Sequence, residues 1–378
     1  MTPVEIRKVT DRKQLRQFIQ FYYDLYRSND YAVPYLFFDE MATLRRDKNP
    51  SFECCEAEYF MAFRDEQIVG RVAAIINRRA NERWNVQQVR FGWFDFIDDI
   101  EVSKALLQTV EDWGRARGMN QMVGPMGFID TDREGMLVEG FKELSTMYVN
   151  YNYDYYPEHL DRLGGFRKDN DYMEYLVTVP ETVPDKFSKV AEMITRRYGL
   201  RVQKFSRHDL LQGGWGRKIF ELVNETYSNL YGYSHLSERQ IDKIIDDYIK
   251  IADTNLITSV MDGDKMVAFG VTFPSFSKAL QKTRDGRLFP MGWWQLLRIL
   301  KWHKTDTVDL LLIGVLPEYR QKGANALIFD DLIRQFQRYG FRYAEAMPQM
   351  EANEAVRSQW QYLESRQHRR HRCYCKNL

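Results

Sequence analysis

A duplicated order of predicted elements limits the possible folds of this chain more than any other feature of its sequence. Each copy has a β-hairpin, a further strand and an amphipathic helix, at residues 58–64, 67–76, 88–94 and 101–117 and again at 256–261, 266–273, 308–315 and 324–339. The hairpins are indicated by short apolar runs around the turn residues Asp65-Glu66 and Asp262-Gly263. A repeat of this kind predicts two similar α/β units.

The two copies differ in length. Gly118 and Gly340 follow the two helices at the position where a left-handed residue ends a helix. The turn aspartates Asp65 and Asp262 lie 197 residues apart, whereas the two glycines lie 222 apart. The second copy therefore contains an insertion, which we assign to residues 275–306.

The chain has 378 residues, more than one hydrophobic core usually organises, so two domains are expected. Residues 155–179 predict a short helix, a break at Gly164-Gly165 and two closing strands, and Pro180 and Pro184 bracket a short joint. We place the domains at residues 1–181 and 182–378. The predicted fold class is α/β (α+β), with two mixed and mostly antiparallel sheets flanked by helices.

The composition excludes several function classes. Lys and Arg total 54 and Asp and Glu total 53, so no overall charge indicates nucleic acid or anionic lipid as a partner, and any charged partner must contact a local patch. No apolar stretch approaches the length of a membrane span, and the first residues do not resemble a signal peptide. We expect a cytoplasmic protein whose four cysteines, Cys54, Cys55, Cys373 and Cys375, are reduced and hold no metal.

The segment from 308 to 325 carries the strongest functional signal. Residues 308–315 are almost entirely apolar, which predicts a central strand covered on both faces. A basic, glycine-containing turn at 316–323 then leads into a helix. Backbone amides at a helix N-terminus attract anions, Gly323 permits close approach, and Arg320 and Lys322 add positive charge. This arrangement suits a diphosphate.

Residues Val315 to Gly323 match Val-x-Pro-x-Tyr-Arg-x-x-Gly, so the chain resembles the GNAT superfamily of acyl-CoA N-acyltransferases in a tandem form. Leu163-Gly164-Gly165-Phe166 is similar to the Gly-Phe ending of that family's domains. Asn325 stands where family members have Gly or Ala. At the corresponding position of the first copy, residues 94–99 are acidic rather than basic, so one acyl-CoA per chain is expected. The first domain then shapes the acceptor site or an interface.

The resemblance implies transfer of an acetyl or other acyl group from acyl-CoA to an amine of a small molecule or amino-acid-like acceptor. A backbone amide between Leu312 and Val315 would bind the thioester carbonyl. The base would be Asp309, eleven residues before Arg320, or Glu345 at the end of the next strand. Tyr362 is the candidate acid, although the expected position, seven residues after Asn353, holds Trp360. The residues assigned to acyl-CoA binding are Ile313, Gly314, Val315, Arg320, Gln321, Lys322, Gly323, Ala324, Asn325 and Asn353.

The loop at 124–135 is dense in glycine and charge. Asp130, Asp132, Arg133 and Glu134 are candidates for binding the acceptor. The alternative is a compact loop whose carboxylates cap local amides.

An apolar segment at residues 289–302 contains three tryptophans and has basic residues along its edge. It could line an acyl-chain channel, make peripheral contact with a membrane surface, or form a buried insertion. The tail at 366–375 predicts a final strand whose cations point outward. Two other functions stay open, a long-chain acyl or aminoacyl transferase and a non-catalytic acyl-CoA sensor or scaffold.

Overall fold

The structure, a computed structural model, describes residues 2–353 and 357–378. In these residues the strands are β1 (Glu5–Lys8), β2 (Cys55–Arg64), β3 (Gln67–Asn77), β4 (Gln88–Phe96), β5 (Gln121–Gly124), β6 (Met136–Glu139), β7 (Arg167–Thr178), β8 (Arg201–Gln203), β9 (Ile257–Asp262), β10 (Lys265–Pro274), β11 (Thr307–Val315), β12 (Tyr343–Met350) and β13 (Ser365–Asn377). The helices are α1 (Arg12–Leu25), α2 (Phe37–Thr43), α3 (Arg78–Trp84), α4 (Ile100–Arg115), α5 (Tyr155–Leu163), α6 (Asp185–Tyr198), α7 (Arg207–Leu211), α8 (Trp215–Thr226), α9 (Glu238–Ile244), α10 (Ser277–Leu280), α11 (Gly292–Trp302), α12 (Pro317–Arg320) and α13 (Asn325–Tyr339).

The chain forms two compact units. Unit 1 comprises residues 2–173, 277–295 and 368–378, and unit 2 comprises the described residues of 174–276 and 296–367. The division therefore falls inside β7, α11 and β13. The predicted domains at 1–181 and 182–378 follow the order of the chain, whereas these units follow its contacts, and the predicted boundary stays a prediction.

Unit 1 contains a sheet in the order β1-β2-β3-β4-β5-β13, with β6 also paired with β13. The predicted hairpin is β2 and β3, and both turn residues, Asp65 and Glu66, have positive φ. Neighbouring strands are antiparallel, except that β4 and β5 are parallel. Every residue of β3 from Val69 to Asn77 is buried, so β3 lies at the centre of the core. Helix α4 packs on this sheet through Val102 and Leu106.

Unit 2 repeats this topology in the order β12-β11-β10-β9-β8. The second predicted hairpin is β9 and β10, and β11 and β12 form the parallel pair. Helix α13 packs on one face of β10, where a Cβ on Gly270 would lie 2.7 Å from Ile328 Cγ2. Helix α8 packs on the opposite face of β10, against Phe269, the residue before Gly270. As predicted, α13 ends at Gly340, whose φ is 72°.

Residues 167–178 form one strand rather than the two that the sequence predicts. The polar run at 168–171 lies inside β7 because its charges have partners. Asp171 is fully buried and accepts hydrogen bonds from Arg372 Nε and Nη2 at 2.7 and 2.9 Å. The partner lies 201 residues away, so local sequence gave no sign of it.

The tail is a strand, as predicted, but its cations do not all point outward. Arg369 is buried and donates a hydrogen bond to Leu144 O, and Arg372 pairs with Asp171. All four cysteines have free thiols. No helix in the described part of the chain has the length and apolar character needed to cross a membrane.

Candidate functional site

Strands β11 and β12 separate halfway along their length. Their pairing ends at Leu310 and Ala346, although β11 continues to Val315 and β12 to Met350. A shift in register at Leu311 marks a bulge in β11 at the same point. The prediction that this strand is covered on both faces was therefore wrong for its second half, because residues 310–313 are only half-buried. We call the opening between the two separated strands the wedge.

The backbone groups of β11 that face the wedge follow from its pairing with β10. Leu316 N–H donates to Val267 O, so Leu316 and, two residues before it, Gly314 direct their backbone groups toward β10. Ile313 and Val315 then direct theirs toward the wedge. The amide predicted to bind the thioester carbonyl, placed by the sequence between Leu312 and Val315, is therefore expected at Ile313 or Val315.

Tyr227, at the end of α8, contacts this edge of β11. Its hydroxyl donates to Ile313 O at 3.1 Å and accepts from Ile313 N–H at 3.3 Å. Burial raises the pKa of Tyr227 to about 12, so the hydroxyl is neutral at neutral pH. The sequence analysis missed this residue, because it precedes Ile313 by 86 positions and belongs to no motif.

The turn that follows β11 is compact and brings α8 close to the strand. Gly323 has a φ of 81°, and its N–H donates to Arg320 O at 3.0 Å. The Arg320 guanidinium donates to Val315 O at 3.1 Å and to Thr226 O at 3.4 Å. A Cβ on Gly314 would lie 2.7 Å from Thr226 Oγ1. Arg320 and Gly314 therefore fix the end of α8, and with it Tyr227, against β11.

The other predicted loop residues lie around the start of α13. Lys322 Nζ lies 4.1 Å from the centre of the Tyr319 ring, and Gln321 is exposed. Ala324 is buried. Asn325 donates from its side chain to Gln359 Oε1 at 2.7 Å. Lys322 and the turn thus lie at the N-terminus of α13, and an anion site there stays a prediction.

The two candidate bases are neighbours in the sheet. Asp309 on β11 and Glu345 on β12 are paired in register, directly before the strands separate. Both are buried, with exposed fractions of 1% and 5%. Residues in register on adjacent strands point to the same face, so the structure brings together two carboxylates that the sequence could only propose separately.

Tyr362, the predicted acid, lies in a short 3-10 helix, Trp360–Tyr362, and not in an α-helix. Its ring contacts Lys186, whose Nζ is 4.7 Å from the ring centre, and Phe187 on α6. Asn353 N–H donates to Met350 O at 2.9 Å. The start of the helix expected at Asn353 falls on residues 354–356, which lie outside the described residues.

In unit 1 the corresponding opening is filled by the chain itself. Pairing between the parallel strands β4 and β5 ends at Arg90 and Val123, and the loop at 124–135 follows. Met126 N–H donates to Phe91 O at 2.8 Å, and a Cβ on Gly92 would lie 2.4 Å from Met126 O. The strand edge that corresponds to Ile313 thus already has a backbone partner.

The loop residues predicted to bind an acceptor make local contacts. Asp132 accepts from Phe128 N–H at 2.7 Å and from Ile129 N–H at 3.2 Å. Arg133 donates to Glu40 at 2.6 Å. Burial, and then the charge of Asp130, raise the pKa of Glu134 to about 8. Asp132 and Arg133 thus stabilise the loop, and an acceptor role for these four residues stays a prediction.

The acidic residues of the first copy also have structural partners. Asp95 lies in β4 and pairs with the buried Arg71 at 2.7 Å, and Asp99 caps α4 and pairs with Arg64. Among the described residues, no group of three His, Cys, Asp or Glu side chains has the arrangement of a metal site.

These features define the fold, which is the tandem GNAT fold that the resemblance implied. A tandem GNAT protein from the clavulanic acid biosynthesis pathway has a TM-score of 0.58 and 10% identity, and the match covers 99% of this chain and 98% of that one. Among curated proteins, Protein YghO of Escherichia coli (strain K12) is 24% identical over 381 residues, covering 99% of this chain and 95% of that protein. Bacterial ceramide synthase of Caulobacter vibrioides (strain NA1000 / CB15N) is 25% identical over 312 residues, covering 81% and 79%. No family model matches the sequence.

Proposed function

We propose that the protein is an N-acyltransferase that uses acyl-CoA to acylate an amine. The observation that carries the proposal is the wedge, where a strand edge with an outward-facing N–H group at Ile313 lies directly before a basic turn and a helix N-terminus. This arrangement matches the two ends of acyl-CoA. A diphosphate suits the turn at 320–325, and a thioester carbonyl suits the Ile313 amide.

Each polar group at the wedge has a role in the proposed reaction. The amine nitrogen attacks the thioester carbonyl carbon. The oxyanion that forms replaces the hydrogen bonds between Tyr227 and Ile313 and accepts from both Ile313 N–H and the Tyr227 hydroxyl. The C–N bond is made and the C–S bond breaks. The proton lost by the nitrogen goes to Asp309 or Glu345. As the oxyanion collapses, the thiolate takes the hydroxyl proton of Tyr227. The tyrosinate then regains a proton from solvent, and the carboxyl group loses its proton to solvent. The neutral state of Tyr227 suits a donor.

Release of free CoA thiol with candidate amines tests this proposal. Tyr227→Phe should lower kcat about 100-fold with little change in KM, because it removes a donor used mainly in the transition state. Asp309→Asn or Glu345→Gln should lower kcat by a similar factor of about 100, and the larger loss identifies the base. Tyr362→Phe tests the rival acid. A large loss there with none at Tyr227 would reassign the donor.

Thiol release, combined with a measurement of CoA binding, separates an enzyme from an acyl-CoA sensor. If the protein binds CoA but no amine releases thiol, the non-catalytic alternative is correct. If Arg320→Ala combined with Gly323→Asp binds CoA as tightly as wild type, the cofactor assignment is wrong.

We infer a second, narrower candidate, transfer of a long-chain acyl group to a lipophilic amine. Similarity to a ceramide synthase supports it, since a ceramide is an amide of a fatty acid and a long-chain amino alcohol. The half-buried apolar side chains at 310–313 are also consistent with an acyl chain beside the wedge. Acetyl-CoA and palmitoyl-CoA should be compared with one short amine and one long-chain amino alcohol. A preference for acetyl-CoA and the short amine would contradict this candidate.

A further inference from the structure

Exposed apolar side chains are concentrated in one short segment. Of the eleven large apolar side chains exposed among the described residues, five lie between positions 289 and 302. They are Phe289, Met291, Trp293, Trp294 and Trp302, with exposed fractions from 37% to 77%. Exposed patches of this kind mark interaction sites. The segment is therefore not a fully buried insertion, which was one expectation from the sequence.

Helix α11 presents these tryptophans on one face. With about 100° between successive residues, Trp293, Trp294 and Trp302 fall within one half of the helix surface. Arg298 and Lys301, which are exposed, lie on the same half, and the buried Ile299 lies on the other. Lys301 Nζ is 5.2 Å from the centre of the Trp302 ring. One face thus combines aromatic rings with cations.

The charge of the segment has a single sign. Residues 286–304 contain Arg287, Arg298, Lys301 and Lys304 and no Asp or Glu, although acidic residues number 53 in the whole chain. This excess of positive charge complements an anionic surface. It also disfavours a symmetric contact between two copies of the segment, because the same cations would face each other.

We propose that the exposed face of α11, together with Phe289 and Met291, docks on the surface of a lipid bilayer that carries anionic headgroups. The helix has 11 residues and is roughly 16 Å long, against about 30 Å for a bilayer core, so it lies along the surface and does not cross. Trp rings enter the boundary between headgroups and acyl chains, while Arg298, Lys301 and Lys304 contact the headgroups. The proposal does not depend on the catalytic assignment.

Co-sedimentation of the full chain with vesicles tests the proposal. Vesicles of phosphatidylcholine alone are compared with vesicles of equal parts phosphatidylcholine and phosphatidylglycerol. Wild type should bind the anionic vesicles, and added salt should weaken that binding. Replacing Trp293, Trp294 and Trp302 with serine should weaken it at least about tenfold. Replacing Arg298, Lys301 and Lys304 with glutamine should cost roughly fivefold for each charge on anionic vesicles only.

A matched variant controls for the loss of exposed apolar surface elsewhere. Tyr231→Ser with Ile251→Ser removes two side chains of similar exposure outside the segment and should bind like wild type. Thermal unfolding confirms that each variant is folded. The proposal is overturned if wild type fails to bind anionic vesicles or if the serine variant binds equally well. Sedimentation velocity gives the remaining outcome, since a dimer that the serine variant makes monomeric would identify the face as a contact between copies.

Discussion

Gly314 determines how closely helix α8 approaches strand β11. A Cβ at this position would lie 2.4 Å from Phe269 Cε1 and 2.7 Å from Thr226 Oγ1, so we expect Gly314→Ala to displace the Phe269 ring and, through Thr226, the end of α8. Tyr227, the next residue after Thr226, then moves away from Ile313. We expect kcat for thiol release to fall about 100-fold, since a displacement of about 1 Å has such effects in active sites. Steady-state kinetics with a measured Tm test this expectation.

Gly263→Ala provides the control for backbone strain. Gly263 also belongs to unit 2, has a φ of 57°, and has no atoms within 4 Å of its Cβ direction. Its replacement should cost about 1 kcal/mol of stability through strain and leave kcat unchanged. Equal kinetics for Gly314→Ala and wild type would show that α8 does not need this close approach.

Glu134 should give the protein a pH-dependent stability. Its side-chain Oε1 is buried and has no hydrogen-bond partner within the described residues, and its pKa is raised to about 8 by burial and the charge of Asp130. An unfolded Glu titrates near about 4.3, so between these two pH values the folded state binds the proton more tightly. Stability therefore falls as pH rises from about 4.3 to about 8.

Glu134→Gln removes this titration. The variant should be more stable than wild type by about 1–3 kcal/mol above pH 8, because wild type then buries an incompletely hydrogen-bonded charge. The advantage should shrink as the pH falls toward about 5, where the wild-type carboxyl is neutral in the folded state. Urea unfolding across this range measures the difference, and a constant difference would show that Glu134 does not titrate as described.

At the scale of elements, the sequence was sufficient wherever local chemistry determines structure. Both hairpins, the helices α4 and α13 and the glycines that follow them were predicted from turn residues, helical periodicity and caps. Within the candidate site, the sequence could predict only the turn that carries the motif at 315–323 and the single residues placed by their distance from it. Tyr227 and the pairing of Asp309 with Glu345 depend on tertiary contacts, and β7 depends on a distant arginine that neutralises Asp171. Periodicity cannot reveal partners that are so far apart in the sequence.

The filled opening of unit 1 predicts one CoA per chain. Because Met126 pairs with the β4 edge through its backbone, whereas the Ile313 edge contacts only a tyrosine hydroxyl among the described residues, we expect acyl-CoA to bind at the wedge of unit 2 alone. Isothermal titration should give a stoichiometry of one for wild type and no binding for Gly323→Asp, which places a strained, negatively charged residue in the anion site. Gly118→Asp is the matched control. Its φ of 77° carries the same strain at an open position of unit 1, so binding should persist. Two sites per chain would refute the interpretation of unit 1.

At the scale of the whole molecule, the first unit requires the last residues of the chain. Strand β13 lies next to β5 in the sheet of unit 1, and it supplies Arg372 to the buried Asp171. Burial alone would raise the pKa of Asp171, but Arg372 and Lys168 together lower it below its usual value. The pair therefore stabilises unit 1 above about pH 4, the usual Asp value, and this contribution is lost as the pH falls through the lower folded pKa.

A fragment of residues 1–181, the predicted first domain, should consequently not fold alone. It leaves the edge of β5 unpaired and Asp171 buried without Arg372. Removing one partner of a buried pair costs about 3–5 kcal/mol, a large part of the 5–15 kcal/mol that typically stabilises a domain. Far-UV circular dichroism in urea should show no cooperative transition for the fragment. Joining residues 366–378 to it through a Gly/Ser linker should restore one, and restoration should fail when Arg372 is replaced by methionine. Cooperative unfolding of the fragment alone would mean that the tail adds stability to unit 1 but is not needed for its fold.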